Sequence, residues 1–356
     1  MLSIGPSMRA PLAISILDQS PVAQGSTGSD ALRNTIDLAV LADRLGYHRY
    51  WVAEHHGGPM LAGPSPEVLI GPIASATSAI RVGSGGVMLP HYSPLKVAES
   101  FSLLSGLFPG RIDLAIGRAP GSDGMTAFAL QRDRRQVAPD DFPQQLAELL
   151  AYLEDRMPTD HPFARLAGSL PGRPHAPEPW LLGSSSQSAL WAAELGLPYA
   201  FADFINPDGA SIARSYFEHF SDSARLESPR LAVAVWALCA DSLEEAEQLA
   251  ASHRWAFVKL RRGELIAVPP PEDAVRELAR AGDSGTLGPH RRRMVLGTPE
   301  QVRTELEEIA AEYGAQELIV VTITYDHAAR RRSYELLAEA FELEPRATAP
   351  AAQGAA

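Results

Sequence analysis

At 356 residues the chain has room for one large α/β domain or two average ones. Its 43 acidic residues outnumber 31 Lys and Arg, and the formal charge of −12 excludes nucleic acid as the main partner, because phosphate backbones reward a basic surface. The single cysteine, Cys239, excludes a disulfide framework and a cysteine-rich zinc site, and no segment has the roughly 20 uninterrupted apolar residues that a membrane span needs.

Short apolar runs alternate with amphipathic helical stretches along the whole chain, which is the order of a parallel sheet. Residues 1–11 are broken by prolines and lack a signal-peptide layout, so they read as a disordered tail on a cytoplasmic protein. The first strand is expected over 12–17 and its helix over 30–45. That helix has Leu32, Ile36, Ala39, Val40 and Leu41 on one face, Asp30 as N-cap and Gly46 as its stop. The second strand runs over 49–53 with a helix at 65–77, and the third over 81–89 with a helix at 93–107. A fourth, 111–116, follows the turn Pro109-Gly110. A helix at 141–154 leads through a Pro-rich, loop-like stretch, 158–179, to strands at 180–183, 198–202 and 231–238. Cys239 directly follows the last of these apolar runs and reads as a buried structural thiol. The eighth strand is 318–324 and the closing helix 328–341.

Eight units in alternation give a (β/α)8 TIM barrel over residues 12–344. The runner-up, a doubly wound sheet, lacks its Gly-x-Gly-x-x-Gly turn, since the chain after the first strand reads Asp18-Gln19-Ser20-Pro21-Val22-Ala23-Gln24-Gly25. The seventh unit is the longest. A helix at 242–259 is followed by residues 261–296, rich in Gly, Pro and Arg, before the next helix at 299–313. That insertion reads as an excursion or mobile lid, and residues 345–356 read as a second disordered tail.

In such a barrel the residues that follow each strand face the active site. After the second strand come Glu54, His55 and His56, a carboxylate beside two imidazoles that can move protons or bind metal. Adjacent residues on a strand point to opposite faces, which argues against joint ligation of one ion, and no metal is expected. Arg118 after the fourth strand can grip a phosphate bidentately. Ser184, Ser185 and Ser188 open the helix after the fifth, where free N–H groups favour an anion. The plainer alternative is an arginine paired with an acidic neighbour and a serine-rich cap. The glycines of the third strand, Gly83, Gly85 and Gly86, suit a bulge or a backbone touching a flat ligand, the plainer alternative being packing against bulky neighbours.

The chain resembles the bacterial luciferase-like, flavin-dependent monooxygenases. The likeness is carried by residues 51–56, the glycine-rich strand 82–90, Glu99, and 110–118, and more loosely by 183–185 and 322–327. It implies that His55 is the catalytic imidazole, supported by Glu54 and His56, and that Arg118, Ser184, Ser185 and Ser188 hold the FMN phosphate. Gly85-Gly86 falls where the family has a cis peptide under the flavin ring. Ser184 stands where the luciferase subunit has a carboxylate and Gly117 where it has a reactive cysteine, so light emission is not implied. The implied activity is that of a two-component monooxygenase: a separate flavin reductase supplies FMNH2, and O2 oxygenates a small organic substrate through a C4a-peroxyflavin. Its alternatives are an F420-dependent oxidoreductase and a non-catalytic flavin-binding protein. A homodimer is the family's habit.

Overall fold

The computed structural model describes residues 12–118, 123–131, 134–135, 140–282 and 294–346. The N-terminal tail, all but two residues of the C-terminal one, and residues 283–293 of the expected lid lie outside them.

Eight parallel strands close into a ring. Those of the first half are β1 (Ala13–Asp18), β2 (Arg49–Val52), β3 (Arg81–Met88) and β4 (Ile112–Gly117). The second half holds β5 (Glu178–Gly183), β6 (Tyr199–Ala202), β7 (Leu231–Cys239) and, in the eighth place, β9 (Glu317–Val321). Each pairs with the next in this order, and β9 returns to β1, as a (β/α)8 barrel requires. The ninth strand, β8 (Val295–Gly297), pairs among the described residues with the far end of β7, Ala237 to Cys239.

Local chemistry sets the helix ends. Helix α1 (Gly28–Leu45) starts two residues earlier than expected because Thr27 is the N-cap: its hydroxyl accepts from the Asp30 N–H while Asp30 accepts from the Thr27 N–H, a reciprocal capping box. Gly46 ends it at φ +91°, as expected. Helices α2 (Pro66–Ala76) and α3 (Pro94–Leu107) follow β2 and β3. Between β4 and β5 come α4 (Gly124–Leu130), α5 (Phe142–Glu154) and the short α6 (Ala164–Ala167), which interrupts the stretch read as loop. Helices α7 (Ser186–Glu194) and α8 (Ala210–Glu218) follow β5 and β6.

After β7 the chain departs from the simple repeat. Helix α9 (Leu243–Arg261) packs chiefly on α10 (Pro271–Arg280) and β8, and α11 (Pro299–Tyr313) covers β7 and β9. Helix α10 sits in the stretch read as an excursion. The run Pro269-Pro270-Pro271 does not prevent it, because a proline in the first turn has no N–H that the helix needs. The last helix is α12 (His327–Ala340). Strand β9 stops at Val321, three residues short of expectation, because Thr322 turns to side-chain bonding: its hydroxyl donates to the Ala237 carbonyl at 2.7 Å and its carbonyl accepts from Arg330 Nε at 2.9 Å.

The N-terminal end of the barrel is closed by ions. Arg49, 2% exposed, reaches Glu317 at 2.8 Å, Asp113 at 2.9 Å and Glu178 at 3.1 Å. Above this floor the interior is apolar, with Leu17, Trp51, Ala115, Trp180, Ala234 and Ile319 in one cluster. Cys239 is buried, and burial pushes its thiol up to about 12, in keeping with a structural role.

Candidate active site

Leaving β2, the chain is pinned on both sides. The Ala53 N–H donates to the Asp18 carbonyl and the His55 N–H to the Gly63 carbonyl, each at 2.9 Å. Asp18 is itself fixed at the end of β1. Burial would raise its carboxyl, but the Arg330 guanidinium at 2.5 Å, the Tyr50 hydroxyl and the Ser20 N–H together hold it below the ordinary range. The loop carrying Glu54, His55 and His56 therefore rests on a rigid frame.

Within the loop the three side chains divide. Glu54 is buried and fully engaged: Oε1 accepts from His56 Nε2 at 2.8 Å, Oε2 from the Met88 N–H at 2.9 Å, and the Tyr92 hydroxyl also bonds to it. His56 meets His91 edge-on, with ring centroids 5.8 Å apart. Burial, and then the Glu54 charge, push the Tyr92 hydroxyl far up, so it stays a donor. Glu67 on α2 faces the same group, and burial followed by the Glu54 charge raises its carboxyl.

His55 is different. Its imidazole is largely buried, and its Nδ1 meets no hydrogen-bond partner among the described residues. Burial, helped by neighbouring His56, lowers it to about 4. At neutral pH it is an uncharged imidazole free to accept a proton, which is the state a general base needs.

On the adjoining strand the Gly85-Gly86 peptide is cis. Packing alone excludes side chains here. A Cβ on Gly85 would lie 2.6 Å from Leu17 Cδ1, one on Gly86 2.7 Å from the Ala115 carbonyl oxygen, and one on Gly83 2.6 Å from Asp113 Cβ. Gly83 sits level with Asp113, near the ionic floor, whereas Gly85 and Gly86 lie toward the C-terminal end of β3, the strand beside β2.

Arg118, just past β4, is exposed, and its Cζ lies 5.8 Å from the ring centroid of Trp191 on α7. A cation thus stands beside the helix that starts after β5. Ser185 is the N-cap of that helix, accepting from the Ser188 N–H at 3.3 Å. Ser188 is buried, its hydroxyl donating to the Ser185 carbonyl at 2.8 Å and meeting the Tyr199 hydroxyl at 2.9 Å. The Ser184 carbonyl accepts from Asn206 Nδ2 at 3.0 Å. The first turn, Ser186 and Gln187, is exposed and its N–H groups lie ahead of any intrahelical acceptor, while Arg118 meets the same helix further along, at Trp191. This donor set fits a phosphate ester, with Ser188 serving the helix start rather than lying open to a ligand.

Sequence reading by strand ends passed over Asn206 and the aromatic group around Trp236, a residue inside β7 rather than after it. Among the described residues no cluster of three His, Cys, Asp or Glu side chains is arranged to hold a metal ion.

Residues 11–317 match the family model described as luciferase-like monooxygenase. A luciferase-like monooxygenase of Escherichia coli K12 is 42% identical over 326 residues, covering 91% of this chain and 96% of that protein. The N-acetyl-S-alkylcysteine monooxygenase of Bacillus subtilis 168 is 38% identical over 332 residues, 92% of this chain and 98% of that protein. The crystal structure of apo-MsnO8 superposes with a TM-score of 0.84 at 43% identity, covering 94% of this chain and 99% of that one.

Proposed function

The chain belongs to the luciferase-like monooxygenase family, and from that membership we propose that it is an FMN-dependent monooxygenase of the two-component type, receiving reduced flavin from a separate reductase. The observation that carries this reading is His55: a buried, neutral imidazole with an unpartnered Nδ1, in the loop after β2 and next to the strand that carries the Gly85-Gly86 backbone. Reduced FMN would supply the two electrons with which O2 gives one oxygen atom to the substrate and the other to water.

Each residue then has a task. Arg118 and the open N–H groups of α7 bind the phosphate. Gly85 and Gly86 offer a surface without side chains to a flat ring. His55 Nδ1 takes up and returns a proton at the reacting centre, while Glu54 and His56 hold the loop that carries it. Residues 261–282 of the insertion serve as part of the lid, and two copies of the chain form the working unit.

The relative from Bacillus subtilis is named for N-acetyl-S-alkylcysteines, and an S-alkyl thioether is the first substrate class to test. Anaerobic titration with FMNH2 should show saturable binding, oxidised FMN should bind more weakly, and N-acetyl-S-methylcysteine with FMNH2 should consume O2 and give an oxygenated product. No binding of FMNH2, or turnover with F420 without O2 uptake, would overturn the reading.

A further inference from the structure

In a ring of eight strands the third and seventh lie across from each other, so β7 faces the Gly85-Gly86 backbone of β3 from the opposite wall. On β7 the residues Ala232, Ala234 and Trp236 alternate into the barrel interior. The first two are small. The third, nearest the mouth and paired with Val321, is the largest side chain available.

Other elements converge on that indole. Phe204, just after β6, stacks on it with centroids 5.2 Å apart and planes at 26°. From α9, His253 and Phe257 lie one helical turn apart and meet the indole edge-on at 4.5 Å and 5.2 Å. The opposite face of α9, Ala251 and Trp255, packs with Ala274 and Leu278 of α10, which fixes the helix against the barrel mouth. Met294 joins the same interior cluster. Burial, and then the Arg254 charge, push the His253 imidazole down to about 3, so this ring is neutral at pH 7.

One polar atom in the group is unsatisfied. Trp236 is 6% exposed, and its Nε1–H meets no acceptor among the described residues. Buried donors are almost always paired, so an orphan at a barrel mouth is a place for a ligand acceptor.

We propose that Phe204, Trp236, His253, Phe257 and Met294 form the substrate-binding half of the mouth, an uncharged aromatic box that takes the apolar alkyl or aryl part of the substrate. Trp236 is its specificity-determining residue. The inference rests on the monooxygenase reading above and adds to it where the substrate lies and which end is recognised. Aromatic faces and a thioether favour apolar, polarisable groups over charged ones.

The test uses the full-length protein with FMNH2 and a series of N-acetyl-S-alkylcysteines from methyl to hexyl. In the unsubstituted protein kcat/KM should rise about fourfold per added methylene, as burial of a methylene predicts. In Trp236→Ala and Phe204→Ala the rise should nearly vanish, through KM rather than kcat, with FMNH2 affinity unchanged. Phe204 is only partly buried, so its variant serves if Trp236→Ala does not fold. Trp236→Phe keeps a ring and loses the N–H, and should retain most of the chain-length dependence. The same slope in the variants as in the unsubstituted protein, or no slope at all, overturns the box. Equilibrium binding of the same series to flavin-free protein separates the two readings. A chain-length slope there that Trp236→Ala abolishes, without any turnover, leaves the box standing and removes the monooxygenase.

Discussion

Glu54 Oε1 accepts from His56 Nε2 at 2.8 Å, so of the two adjacent imidazoles it is His56 that the carboxylate holds. The second oxygen of Glu54 takes the Met88 N–H at the end of β3, which ties the His55 loop to the strand carrying Gly85 and Gly86. Glu54 is thereby a positioning residue for two strands at once.

Replacing it separates charge from geometry. Glu54→Gln keeps an acceptor for Met88 and a donor for His56, whose tautomer then inverts, and should fold with near-normal stability while lowering kcat. Glu54→Ala leaves the Met88 N–H, His56 and the Tyr92 hydroxyl unpaired together, and should cost about 2 to 4 kcal/mol. Urea denaturation of the two variants checks the difference. Equal stabilities would show that the carboxylate does not join the strands.

Arg118 is exposed against Trp191 of α7, and its proposed role is confined to a phosphate. Arg118→Ala should therefore weaken FMNH2 binding about tenfold to hundredfold, the range for a lost charged hydrogen bond. Reduced riboflavin, which has no phosphate, should bind the variant and the unsubstituted protein alike. Parallel anaerobic titrations make the comparison, and equal losses for both flavins would remove Arg118 from the phosphate site.

The barrel was legible because each strand is a short apolar run followed by turn chemistry, and because a capping box or a left-handed glycine marks the ends of helices such as α1. The position of His55, just past the end of β2, was legible for the same reason. Arg49 was not. Its partners Asp113, Glu178 and Glu317 stand on three other strands, and no local pattern reports a contact that only ring closure creates. Helix α9 hid its meaning differently, by being apolar on two faces, one for α10 and one for Trp236. Periodicity shows that a helix is buried without showing against what.

Arg49 offers a test of that hidden contact. Arg49→Ala would take from Glu317 its guanidinium partner at the barrel floor and leave Asp113, 0% exposed, to Arg81 alone. Breaking one side of a buried ion cluster costs about 3 to 5 kcal/mol. Thermal unfolding should show the loss at pH 7, and lowering the pH to protonate the stranded carboxylates should return part of it. A variant as stable as the parent would mean that the floor carries no net energy from its charges.

Gly85 tests packing independently of chemistry. A Cβ there would lie 2.6 Å from Leu17 Cδ1 and 3.0 Å from Trp51 Cβ, both buried in the barrel interior. Gly85→Ala should destabilise the fold by about 1 to 3 kcal/mol, the usual range for overpacking a core. Gly110→Ala is the control for space, since nothing lies within 4 Å of its Cβ position, although its φ of +75° adds backbone strain of its own. If Gly85→Ala is as stable as the parent, the third strand has room that its neighbours do not show.

Acid should destabilise the protein well before its carboxylates titrate. His55 and His253 fold with their imidazoles lowered by burial to about 4 and about 3, from an ordinary value of about 6.5. Above 6.5 both are neutral folded or unfolded and contribute no slope. Below 6.5 the unfolded chain binds protons that the folded one refuses, so stability falls as pH drops, until the folded groups themselves protonate near 4 and 3. Between pH 7.5 and pH 5 each histidine should remove about 2 kcal/mol. Urea unfolding at the two pH values measures their contribution together with those of His48 and His327, which burial also lowers, and His253→Phe, which keeps an aromatic ring against Trp236, should remove about 2 kcal/mol of the difference. A parent protein equally stable at pH 7.5 and 5 would mean that neither imidazole is held neutral by burial, and the proton-accepting role of His55 would fall with it.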